Sequence, residues 1–234
     1  MSSPKMVLLP GMDGTGKLFT DFVKALPSEF ATVVASYPCD RHLSDDELLA
    51  MVETFCPTVE PFVLLAESFS APVAIKYAAR APANMKGLVL CVGFARSPVK
   101  GWRRWMASLL APVLSRRIMS HAAMRFWLCG WDAPSSLVRM VYEAVSSVRS
   151  AVLASRIWDV LTWNVSEEFA QVSVPILYIQ ASGDRLVPSS CLEEMLRIKP
   201  GLSSEKLDGP HLILQRHPQR AADVVAKFIS QLPH

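Results

Sequence analysis

No apolar run in these 234 residues approaches the length needed to cross a bilayer. The stretch at residues 6–9 is too short for a signal peptide core, so a soluble, cytoplasmic chain is expected, with peripheral membrane contact left open. The five cysteines (Cys39, Cys56, Cys91, Cys129 and Cys191) show no CxxC spacing. That argues against a zinc site or a disulfide framework and suits a reducing compartment. Excess charge of one sign is also missing. A formal charge of +3 gives no electrostatic reason to invoke nucleic acid. Internal repeats and disordered linkers are absent as well, and the length suits one domain, or a core with a modest insertion.

What is present is a rhythm of short apolar runs alternating with amphipathic stretches. Hydrophobic residues make up 51% of the chain, enough for a substantial core. Strands are expected at residues 5–9, 30–35, 62–66, 86–92, 174–180 and 203–207. Helices are expected after Leu18, after Ser44 (with Glu47 at the capping-box spacing), after Ser70, at 190–198 and from about Pro218. This alternation predicts an α/β fold, a mostly parallel sheet covered by helices on both faces.

The rhythm breaks over residues 94–169, where no convincing strand occurs and all six tryptophans lie. Helices are expected there around 102–114, 118–128, 135–153 and 157–163. The segment reads as a helical cap inserted into a core formed by residues 1–93 and 170–234. Trp102, Trp105, Trp127 and Trp131 are candidates for lining an apolar substrate pocket beneath it; packing of such aromatics against the sheet is the alternative, and both roles can hold together. One basic cluster, Lys100, Arg103 and Arg104 with Arg116 and Arg117, is interleaved with Trp102 and Trp105. It reads as a solvated helix edge.

Two loops carry chemistry. The first, GMDGTGK at residues 11–17, matches most of a phosphate-binding loop directly after a strand. The position that holds magnesium through a hydroxyl is Leu18, and the later strands offer no persuasive magnesium aspartate. The alternative is an anion hole, in which backbone N–H groups face a developing oxyanion. The second is LLAESFSA around Ser68, where a strand runs sharply into a helix with small residues, Ala66 and Ser70, beside the serine. Such a turn lifts a hydroxyl out of the sheet; a plain helix cap is the competing reading. A serine nucleophile needs a base, and the base needs an orienting acid. Asp184 and His211 follow two late strands, on the side where open parallel sheets bind their ligands. Ser70, Asp208 and His217 are the nearby alternatives for the three roles.

LLPGMDG, LLAESFSA, ASGDRLVP and GPH, in that order, resemble the α/β-hydrolase superfamily, among its compact carboxylesterase, lipase and thioesterase-like members. The resemblance spans almost the whole chain. It implies Ser68 as nucleophile, His211 as base, Asp184 as orienting acid, and the Met12 and Phe69 amides as an oxyanion hole. It departs from the family pattern where Ala66 and Ser70 replace glycines and where Pro10 stands in place of histidine. No metal or organic cofactor is implied. The expected activity is hydrolysis of a small-molecule carboxylic ester with an apolar acyl or aromatic part. An acyl thioesterase and a catalytically silent ligand-binding protein are the alternatives.

Overall fold

The computed structural model describes residues 4–99 and 120–233. Its centre is a six-stranded sheet in which every neighbouring pair runs parallel. The strands are β1 (Lys5–Leu9), β2 (Thr32–Val34), β3 (Phe62–Glu67), β4 (Met85–Cys91), β5 (Ile176–Ala181) and β6 (Ser203–Leu207), in the order β2-β1-β3-β4-β5-β6. All six residues of β3 are buried. Alternate side chains feed two cores, as the two-residue period of a strand requires. Val7, Leu9, Leu64, Ala66, Leu88 and Leu90 pack on one face with α2 (Asp45–Phe55) and α3 (Ala71–Ala79). Met6, Leu8, Val63, Leu65, Val89 and Cys91 pack on the other with α1 (Thr20–Ala25) and the last helix (Pro218–Ser230). The expected strands and core helices are present. At one sheet edge β2 shrinks to three residues, a short edge that offers little backbone for unwanted pairing. Ser44 caps α2 through the reciprocal bonds with Glu47 that the spacing predicts.

Between β4 and β5 the described chain is helical, and its two ends meet. Arg96 bridges Asn164, while Ser97 N–H donates to Trp163 O and Val165 N–H to Ala95 O. The helix expected over 135–153 is broken into α5 (Ser135–Ser146) and α6 (Ser150–Thr162). The break has a visible cause: Arg149 N–H turns away to the Cys39 carbonyl of a core loop. The helix expected at 118–128 narrows to α4 (His121–Met124), followed by a π-helical turn over Arg125–Cys129. Gly130 N–H closes that turn on Arg125 O, and Gly130 has φ of 87°, which ends the helix. The helix expected at 102–114 and the basic cluster lie outside the described residues. Among the described residues no helix is long and apolar enough to cross a membrane.

Candidate active site

The strand order reverses between β1 and β3: the chain passes from β1 to β2 on one side and returns to β3 on the other. Loops leaving the carboxyl ends of these two strands diverge at such a point and leave a crevice between them. Ser68 follows β3 and the glycine-rich loop follows β1, so both sit at this crevice.

Ser68 has φ of +50°, in the left-handed region that side-chain-bearing residues avoid. Strand β3 ends at Glu67 and a 3-10 turn begins at Ser68, leading directly into α3. That sharp reversal is what projects the hydroxyl. His211 Nε2 lies 2.9 Å from Ser68 Oγ, and His211 Nδ1 lies 2.8 Å from Asp184 Oδ2. With the proton on Nδ1, His211 donates to Asp184 and accepts from the Ser68 hydroxyl. The side chains of His211 and Asp184 are 4% and 3% exposed, so neither is diverted by bulk water. The second oxygen of Asp184 accepts from the Leu186 and Val187 amides, which fixes the carboxylate plane.

The loops carrying the acid and the base are joined below these side chains. Ser182 N–H donates to Leu207 O, Gly183 N–H to Gly209 O, and Gly209 N–H to Ser182 Oγ. Gly209 has φ of 153°, a backbone conformation that side-chain-bearing residues rarely adopt, which favours the glycine of GPH at this turn. Asp208 accepts from Ser182 Oγ and takes no part in the His211 chain. His217 begins the last helix, away from that chain. The structure therefore brings Ser68, His211 and Asp184 together and leaves Asp208 and His217 outside.

Ser70 has a different duty. Its buried hydroxyl donates to Pro10 O at 2.5 Å and accepts from Tyr37 Oη at 2.8 Å. The turn bearing Phe69 is thereby tied to the loop bearing Met12. Phe69 is fully buried, with its ring against Trp163 and Tyr37, and Met12 is half-buried. The glycine-rich loop folds on itself: Gly14 N–H closes on Gly11 O, and Asp13 accepts from both the amide and the hydroxyl of Thr15. A buried carboxylate within the loop opposes a bound phosphate, and Lys17 is exposed. Both facts weigh against the nucleotide reading.

Three further residues belong to the site, and the local sequence marks only the last of them. Tyr37 completes the Ser70 bridge. Arg156, from α6, is 3% exposed and donates to three loop carbonyls. Glu67, 2% exposed, accepts from Gln215 Nε2 at 3.3 Å; burial pushes its carboxyl up to about 7. Its place at the buried end of a strand beside Ser68 was the one clue.

Of the four tryptophans expected at a pocket, Trp102 and Trp105 lie outside the described residues. Trp127 and Trp131 are 44% and 60% exposed, and both rings contact Phe126 edge-on. Arg185 stacks on Phe126 at 4.1 Å and donates to its carbonyl, while Leu212 N–H donates to Leu128 O. This aromatic group therefore borders both the acid loop and the base loop. A recess of about 770 Å³ lined by Cys56, Pro61, Tyr77 and Asn84 lies at the amino ends of β3 and β4, the wrong end of the sheet for Ser68.

A parallel sheet with these loops at its carboxyl ends defines a class, and the chain belongs to it: residues 6–224 match the model of the alpha/beta hydrolase family. Among curated proteins it is 27% identical to a pimeloyl-[acyl-carrier protein] methyl ester esterase of Methylococcus capsulatus, over 97% of this chain and 95% of that one. It is 25% identical to a pyrrolizixenacetamide deacetylase of Xenorhabdus hominickii, over 97% and 91%. The fold is shared with an enol-lactonase of Burkholderia xenovorans, at a TM-score of 0.80 and 15% identity, over 99% of this chain and 93% of that one.

Proposed function

We propose that this protein is a serine hydrolase cleaving carboxylic esters through an acyl-enzyme. The observation that carries the reading is the chain Ser68–His211–Asp184, joined at 2.9 and 2.8 Å with Ser68 at a positive φ. Ser68 Oγ attacks the ester carbonyl carbon while its proton passes to His211 Nε2. Asp184 stabilises the imidazolium and holds the tautomer. The carbonyl oxygen becomes an oxyanion, held by the Met12 and Phe69 amides. The C–O bond to the alcohol then breaks, and the alcohol takes the proton from Nε2. Water attacks the acyl-Ser68, again losing its proton to Nε2. Collapse returns that proton to Ser68 Oγ and releases the carboxylic acid. No step calls on a metal or organic cofactor.

The two curated relatives are named for a methyl ester esterase and a deacetylase, which supports acyl transfer to water. Residues 94–169 act as the cap, and the exposed Phe126, Trp127 and Trp131 select the acyl part. The test is labelling by a fluorophosphonate probe together with hydrolysis of p-nitrophenyl esters, set beside acyl-coenzyme A thioesters. Wild type is labelled at Ser68 and turns over esters; Ser68→Ala loses both by orders of magnitude while remaining folded. Full activity in that variant overturns the proposal. A strong preference for the thioesters moves the assignment to the thioesterase reading. A chain inert to probe and substrates loses the hydrolase assignment and leaves the catalytically silent alternative.

A further inference from the structure

The glycine-rich loop turns tightly over residues 11–14, and its three peptide planes are each fixed by a separate bond. Gly14 N–H donates to Gly11 O at 3.0 Å, which orients the plane that also contains the Met12 N–H. The next two planes present the Met12 and Asp13 carbonyls, and both accept from one nitrogen, Arg156 Nη1, at 2.8 and 3.0 Å. Nη2 of the same guanidinium donates to Pro38 O at 2.9 Å. Its carbon lies 5.9 Å from the Tyr37 ring centre and 5.8 Å from that of Phe69. A Cβ on Gly14 would sit 2.6 Å from Nη1, so the loop is shaped to receive this side chain. Arg156 belongs to α6 in the inserted segment, more than 140 residues along the chain from the loop it grips.

We propose that Arg156 is a positioning residue for the anion hole: by clamping the Met12 and Asp13 carbonyls it holds the Met12 N–H in place, and it makes that hole depend on the seating of α6. This rests on the reading of the chain as a serine hydrolase. A preorganised donor stabilises an oxyanion because it needs no reorientation as charge develops; a loop free to rotate its peptides loses that advantage. The hydrogen bonds of Arg156 go to the Met12, Asp13 and Pro38 carbonyls and not to Ser68, so its influence falls on the transition state more than on ground-state binding.

The experiment compares Arg156→Met, Arg156→Lys and Arg156→Ala with wild type on a p-nitrophenyl ester. It also measures inhibition by an alkyl trifluoromethyl ketone. Ser68 Oγ adds to that ketone carbon, the proton passes to His211 Nε2, and the alkoxide formed lies at the anion hole. In Arg156→Met kcat is expected to fall about 10- to 100-fold with KM within about threefold, less than the loss on removing a direct donor. Ketone affinity falls by a similar factor. Arg156→Lys, which keeps a cation, is intermediate, and added guanidinium raises kcat of Arg156→Ala. Unchanged kcat and ketone affinity in a folded Arg156→Met protein overturns the proposal, as does a rise in KM alone. If Arg156→Met does not fold, Arg156→Lys carries the same measurement. Failure of wild type to label at Ser68 removes the hydrolase reading itself, whereas Ser68-dependent turnover indifferent to Arg156 removes this inference alone.

Discussion

The Ser70 hydroxyl bonds the Pro10 carbonyl at 2.5 Å across 60 residues of sequence, stitching the turn after β3 to the loop after β1. A glycine, which the family pattern places there, has no hydroxyl to offer. Tyr37 Oη donates to the same oxygen, and burial raises the Tyr37 phenol's pKa, so it remains a protonated donor. The departure from the family motif is thus part of how this chain aligns its two loops.

Ser70→Ala removes the shared atom and leaves Pro10 O and Tyr37 Oη, both in buried surroundings, without that partner. Each lost bond costs about 1–3 kcal/mol. Urea unfolding is expected to show a loss of about 2 kcal/mol or more for Ser70→Ala. Adding Tyr37→Phe to Ser70→Ala costs less than it does in wild type, because the hydroxyl being deleted has already lost its acceptor. Ser68 still labels with the fluorophosphonate in Ser70→Ala. Strict additivity of the two substitutions, or loss of labelling from Ser70→Ala while Ser68→Ala still labels, contradicts this arrangement.

The orienting acid is testable by contrast. Asp184 accepts from His211 and from two amides, while Asp208, three residues before the histidine, accepts from Ser182. Asp184→Asn keeps the shape and removes the charge that fixes the tautomer, so kcat is expected to drop by about 10³- to 10⁴-fold. Asp208→Asn stays within about fivefold of wild type, since losses of that size do not mark a triad member. The reverse ranking would transfer the role to Asp208.

Glu67 gives a prediction about pH. Burial is the main cause of its raised pKa; Asp13 adds to the rise, while the Gln215 hydrogen bond and a charged His211 oppose it. Glu67 Oε1 and Gln215 Oε1 are both buried without a partner among the described residues, a setting that suits the protonated acid. The folded pKa, about 7, lies above the ordinary 4.5. The neutral form's contribution to stability is therefore whole below 4.5 and is lost as pH rises through 7. The difference corresponds to on the order of 3 kcal/mol. Glu67→Gln has nothing to ionise, so its stability relative to wild type is expected to increase by that order from pH 5 to pH 8. Unfolding curves that stay parallel across this range count against a titrating Glu67.

The sheet, the order of its elements and the three members of the hydrogen-bonded chain were legible because each depends on local pattern. β3 is an uninterrupted apolar run, and Ser68, Asp184 and His211 each follow a strand end within four residues. Ser44 and Glu47 likewise carry their capping box in their spacing. What resisted reading depends on distant chain. Arg156 looks like any polar residue of a helix until α6 is laid over the first loop. The break at residues 147–149 comes from one bond to Cys39 in the loop after β2, with no glycine or proline to announce it. Composition located the tryptophans but not their orientation, because helix rotation is set by packing partners that the local sequence does not name.

The aromatic group beside the acid and base loops offers the final prediction. Trp127 and Trp131 meet at Phe126; Arg185, next to Asp184, stacks on that ring, and Leu128 holds the backbone next to His211. An acyl chain leaving the Ser68 carbonyl toward this rim would cover tryptophan surface that is now exposed. Each methylene removed from water contributes about 0.8 kcal/mol, or about fourfold in affinity. Wild type is therefore expected to gain efficiency from acetyl to butyryl to hexanoyl p-nitrophenyl esters. Trp127→Ala and Trp131→Ala should flatten that rise while leaving the acetyl ester within about threefold of wild type, because an acetyl group adds no methylenes to lay on the tryptophan surface. The comparison is made on kcat/KM at matched substrate solubility. A wild-type profile that is flat from acetyl to hexanoyl, or one that rises equally in both variants, places the acyl chain elsewhere. The hydrogen-bonded chain from Ser68 to Asp184 would be untouched by that result, since none of its bonds involves either tryptophan.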